Sequence, residues 1–165
     1  MDFVQAQIDI ITWITTFVEQ PHPALHGWPP CPFARQARLQ AQLEIRPGVI
    51  DPYTDLMHVD MAERMIVIYV YEPGDIDAVR FGQQIDGVNR GFLLARDLIA
   101  LADHPDTPED VQGVSMNQGR WALAMVQPLS KLNQFSRQIA AKGYYDGWPE
   151  DYLHDLFQHR EDPRQ

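Results

Sequence analysis

Cysteine is nearly absent from this sequence: Cys31 is the only one in 165 residues. No intrachain disulfide can form, which excludes a disulfide-stapled secreted scaffold. Long apolar runs are missing as well. The longest, Met65 to Tyr71, is strand-sized and far short of the roughly 18 residues a membrane span needs. Basic charge is scarce, with 13 Lys and Arg against 23 Asp and Glu and a net charge of −10. That balance opposes general nucleic-acid binding, because phosphate contacts need a basic patch. A secretory signal pattern is also missing. Asp2 and Asp9 interrupt the N-terminal apolar stretch and no basic residue precedes it, so a cytosolic protein is expected. There is no glycine-rich phosphate loop, no nucleophile elbow and no paired-histidine zinc-protease helix.

What remains is a globular composition. Hydrophobic residues make up 45% and charged residues 22%, which argues against disorder and fibrous repeats. The length suits a single domain over residues 1–165 with a real core.

Periodicity predicts a helix over Phe3 to Glu19, with Ile10, Trp13, Ile14 and Phe17 on one face and Asp2 with Gln5 as a capping box. The segment Gln20 to Pro32 holds five prolines, so it must be an ordered loop, anchored by Leu25 and Trp28. Pro32 suits the first position of a short helix reaching Gln40. Strands are expected over Gln42–Arg46 and Met65–Tyr71, the latter buried on both faces. Asp75 is expected to cap a helix whose stripe is Ile85, Val88, Phe92, Ala95, Ile99 and Ala102, with a break near Gly82. Thr107 to Asp110 suits one helical turn, and Asn117 to Arg120 reads as a hairpin between two short strands. Two further helices follow, one carrying Leu129, Leu132, Phe135 and Ile139, the other opening at Pro149. The expectation is an α+β fold with a small, partly antiparallel sheet of about four strands packed with about five helices.

Cys31 is the leading chemical candidate. Just before a helix start, unpaired backbone N–H groups and the helix dipole favour an anion. Thiolate is the nucleophilic form, so such a place lowers the barrier to reaction. Arg35 and Arg38 fall on the same helix face, and either cation could stabilise thiolate or hold an anionic substrate group. His22 and His26 stand nearby as an acid or base, with Trp28 beside them. On this reading Cys31, Arg35 and His26 are catalytic, and Arg38, Trp28 and His22 bind substrate.

The segment Cys31-Pro32-Phe33-Ala34, with arginines soon after, resembles the active-site segment of omega-class glutathione transferases and glutaredoxin-type motifs. That resemblance implies a cysteine that attacks disulfides or forms a mixed disulfide with glutathione. Alanine stands at position 34, so a dithiol mechanism is excluded. The chain also resembles uncharacterised bacterial and phage proteins with a Cys-Pro-Phe-Ala segment after an N-terminal helix, then a strand. That likeness implies a self-contained fold and brings no activity.

Three functional classes follow. The first is a thiol-dependent redox or transferase-like protein with Cys31 as nucleophile. The second is a non-catalytic, acidic interaction protein that binds a partner or forms a homodimer. The third is a metal-binding protein using His22, His26 and Cys31 as ligands of an open zinc or iron site. The sequence names no cofactor. Its partner is a small molecule or a protein, with no membrane role.

Overall fold

The computed structural model describes residues 1–165. The chain runs α1 (Phe3–Trp13), α2 (Ala34–Leu39), β1 (Leu43–Pro47), α3 (Pro52–Met57), β2 (Ile66–Tyr71) and α4 (Ala78–Val88). It continues through β3 (Leu98–Asp103), β4 (Asp110–Val111), β5 (Val114–Ser115), β6 (Ala122–Pro128), α5 (Leu129–Ala140) and α6 (Glu150–Leu156). The fold is α+β, as the sequence predicts. No helix is long and apolar enough to cross a membrane.

β2 is buried at every residue because it lies inside a sheet covered on both faces. The strand order is β1-β2-β6-β3, with β1 parallel to β2 and the other neighbours antiparallel. Side chains alternate across the sheet. Val67, Tyr69 and Tyr71 pack with Leu56 of α3 and Phe81, Ile85 and Val88 of α4. Ile66, Ile68 and Val70 pack with Ala6 and Ile10 of α1 and Ala34 and Ala37 of α2. A third cluster joins the β4–β5 hairpin, Ile139 of α5 and Leu153 of α6 around Tyr144, Tyr145 and Trp148. Leu25 from the proline-rich loop is buried in it, so that expected anchor is present.

α1 starts as expected. Asp2 accepts the Gln5 N–H at 3.2 Å, whereas the Gln5 side chain turns to Asp9 at 2.8 Å and leaves the capping box half closed. The helix continues through a wider turn over Ile14–Val18.

The long apolar stripe expected beyond Ile85 is not one helix. α4 passes through two short turns and stops at Asp97, whose left-handed φ of 57° halts the spiral. Leu98–Asp103 then forms β3, since a short apolar run serves a strand as well as a helix. Asn89 clamps this strand. Its amide donates to the Ala100 carbonyl at 2.9 Å and accepts the Ala100 N–H at 2.8 Å. Gly82 stays inside α4, and Asp77 caps that helix in place of Asp75.

The expected hairpin around Asn117 is also replaced. β5 pairs with β4, and β6 enters the main sheet between β2 and β3. Asn117 and Gln118 tether the loop to the end of β3. The Asn117 amide and the Gln118 N–H each donate to the Asp103 carboxylate at 2.9 Å. Asp110, expected in a helical turn, lies in β4 instead.

Candidate functional site

Cys31 lies in a turn, not at a helix start. α2 begins at Ala34 with Phe33 as its cap residue, so Pro32 is not the first helical residue. The Cys31 carbonyl accepts the Ala34 N–H at 3.3 Å, and its own N–H donates to the Val18 carbonyl at 3.0 Å. These bonds hold the turn against the end of the N-terminal helix. The residue is half-buried and packs against the α1–α2 layer.

The thiol departs from expectation in its chemistry. Burial pushes it up, because an apolar surround penalises the charged sulfur. Hydrogen bonding from the Phe33 and Ala34 N–H groups and the charge of Arg160 pull the other way. A six-residue helix that begins three residues later supplies too little to reverse the burial.

Arg160 is a residue that reading the neighbourhood of Cys31 misses. It follows α6, and its guanidinium stands 5.0 Å from the centre of the Phe157 ring. One arm donates to Ser136 Oγ, which also takes the Tyr145 hydroxyl at 3.2 Å. Its Nε is buried without a partner. Burial lowers its hold on its proton, and the opposing groups are Tyr145, Cys31 and Tyr144, none of them a carboxylate. The Arg160 charge also favours the Cys31 thiolate, as the smallest of the influences on that thiol after burial and the Phe33 and Ala34 N–H groups. Tyr144 completes the surround, donating its hydroxyl to the Pro30 carbonyl beside Cys31. Its own proton is held far above the usual phenol range, chiefly by burial. The one sequence signal for Arg160 is its spacing of three from Phe157, an apolar position of the final helical stretch.

The residues expected beside Cys31 have other tasks. Arg35 is exposed and is not among the groups acting on the thiol. Arg38 is held by Glu19 in a two-pronged pair at 3.0 and 2.7 Å, which explains how Glu19 can be buried. His22 accepts the Ala24 N–H through Nδ1 at 3.2 Å and caps a single 3₁₀ turn. His26 is exposed and ends that turn in the left-handed region. Trp28, half-buried, packs edge-on against Tyr144 at 5.6 Å at the edge of the third cluster. His22, His26 and Cys31 do not converge, and no group of three or more His, Cys, Asp or Glu side chains is placed to share a metal ion.

A second polar cluster lies at the far end of β3. Burial pushes the Glu109 carboxyl up to about 7, and the nearby Asp103 adds to the effect. The Tyr152 hydroxyl donates to Glu109 at 3.2 Å. Asp103 is also raised, by its own burial. His104 beside it is fully buried, its Nδ1 accepting the Asp106 N–H and its Nε2 meeting the Ile76 carbonyl. Those two bonds give the ring a structural task, joining the segment before α4 to the loop after β3.

Comparison with known proteins finds no matching family model, no matching curated protein and no matching solved structure.

Proposed function

We propose that this is a thiol-dependent protein, redox or transferase-like, in which Cys31 is the nucleophile and Arg160 is the cation that favours its thiolate. The observation that supports the reading is the Arg160 guanidinium, which has no carboxylate partner and whose charge favours the Cys31 thiolate. A cation left unpaired in a partly buried place carries a solvation cost that an anion relieves. That anion is either the thiolate itself or a charged group of the substrate.

One cysteine limits the chemistry. The Cys31 sulfur attacks one sulfur of an anionic disulfide, one S–S bond forms and one breaks, and the Cys31 proton passes to the departing thiolate. A second, external thiol then releases the adduct by the same exchange. Burial keeps the resting thiol protonated at neutral pH, so exchange waits on removal of that proton.

Incubation of the folded chain with glutathione disulfide, followed by intact-mass measurement, tests this. The expected result is one adduct on Cys31, reversed by dithiothreitol and formed more slowly in Arg160→Gln. An adduct that forms only once denaturant unfolds the chain would overturn it.

A second reading, self-association, has its own observation. Val4, Ile8 and Ile11 of α1 are 66%, 54% and 37% exposed. Their spacing of four and three makes one outward stripe. Asp9, the only charged residue within α1, turns to Arg120 and Trp121. This face therefore carries no charge that would repel a second copy. Sedimentation equilibrium checks it: a dimer that Ile8→Glu dissociates supports the reading, and a monomer at high concentration contradicts it.

A further inference from the structure

A pocket of about 230 Å³ opens between α2, the start of β2, the end of β6 and the first turns of α5. Its apolar wall includes Phe33 and Phe135, whose rings stack at 4.3 Å and 21°. Four glutamine side chains line it, Gln36 and Gln127 among them, each offering an amide that can donate and accept. No acidic residue lines it, and Lys131 is its single charged group. In a chain of net charge −10 with only two lysines, a carboxylate-free pocket holding one of them is a local exception.

Lys131 is free to bind. The partner of its ammonium is the Met65 sulfur at 3.6 Å, and Met65 also lines the pocket. A thioether is a weak acceptor, so the ammonium keeps most of its capacity for an anion.

We infer that this pocket binds a small amphipathic carboxylate, with its anionic end on Lys131 and its apolar body against the Phe33–Phe135 wall. The volume lies below the roughly 300–1,000 Å³ of sites for drug-sized ligands, so the occupant is small. The glutamine amides orient it by hydrogen bonds to the second carboxylate oxygen or to a polar group on its body. A neutral analogue fills the same apolar wall but gives Lys131 nothing to pair with. Cys31 does not line this pocket, so the inference stands apart from the thiol reading and can fail or hold independently.

The probe is 4-phenylbutyrate, compared with 4-phenylbutanol, titrated into the ¹⁵N-labelled chain and followed by amide shifts. The butyrate is expected to give saturable shifts at Phe33, Gln36, Met65, Lys131 and Phe135. Loss of one charge-assisted hydrogen bond weakens binding about tenfold, so Lys131→Gln and the alcohol should each show about that loss. Lys142→Gln, which alters the other lysine, should bind as the unaltered chain does. Lys131 is exposed, so its replacement leaves the fold intact, and an unchanged spectrum dispersion verifies this. Equal affinity for acid and alcohol, an unaffected Lys131→Gln, or no saturable shift at these residues would overturn the inference.

Discussion

The charge of Arg160, on the segment that follows α6, favours the Cys31 thiolate, while burial of that thiol opposes it. Burial and cation oppose each other there. Burial is the larger effect, and it holds the thiol above the ordinary cysteine value. The Phe33 and Ala34 N–H groups join Arg160 in favouring the thiolate. Ser136 Oγ accepts one hydrogen bond from Arg160, the same oxygen takes the Tyr145 hydroxyl, and the guanidinium lies over the Phe157 ring.

Removal of the Asn89 amide exposes the weakness of β3. β3 is an edge strand, and Asn89 satisfies both backbone groups of Ala100 in place of a further strand. Asn89→Ala leaves two buried groups unpaired and should cost about 2–4 kcal/mol. Urea denaturation measures this, and the slope should stay constant as the midpoint falls.

Stability should fall as pH rises from mildly acid to neutral. The folded Glu109 keeps its proton up to about 7, against 4.5 for an ordinary glutamate. The folded state therefore binds more protons between these values. The contribution is full below about 4.5 and is lost as pH rises through about 7, on the order of 2–3 kcal/mol. Asp103 is raised too and acts in the same direction. Glu109→Gln stays uncharged and should flatten the profile over this window, read from thermal melts in a pH series.

Gly48 has no room for a side chain. A Cβ there would lie 2.1 Å from the Tyr71 ring. Tyr71 is buried and donates its hydroxyl to Asp55 at 3.1 Å, so the ring cannot move without losing that bond. Gly48→Ala should destabilise the chain by about 1–3 kcal/mol, seen as a lower urea midpoint.

Arg35 and Arg38 should differ sharply although they lie three residues apart on α2. Arg38→Ala strands the buried Glu19 carboxylate and should lower the melting temperature. Arg35→Ala removes an exposed side chain and should leave it nearly unchanged. Differential scanning calorimetry of the two variants separates them.

Local patterns in the sequence carry much of this fold. β2 is legible because a strand buried on both faces must be continuously apolar. α5 is legible because Leu129, Leu132, Phe135 and Ile139 recur at helical steps, although only Ile139 of them is fully buried and Asn133 and Ser136 fill the rest of the inner face. Gly143 beyond it takes the left-handed conformation with φ of 80°. β3 is not legible. Ile99 and Ala102 continue the helical period of Ile85 and Val88, and only the long-range clamp from Asn89 and the left-handed turn at Asp97 separate helix from strand. The role of Asn117 is hidden for a similar reason, since its partner Asp103 lies on another element. Among the site residues, Cys31 is visible from its proline-bounded setting. Arg160 is not, because its charge comes near the thiol only through the folded placement of the segment after α6, whereas Arg35 and Arg38 invite attention by sequence proximity alone.

The pH dependence of Cys31 alkylation by iodoacetamide tests the central claim most directly, compared among the unaltered chain, Arg160→Gln and Arg35→Gln. The rate should rise with a midpoint above that of an ordinary cysteine, move higher in Arg160→Gln, and stay in place in Arg35→Gln. An Arg160→Gln midpoint equal to that of the unaltered chain would contradict the account.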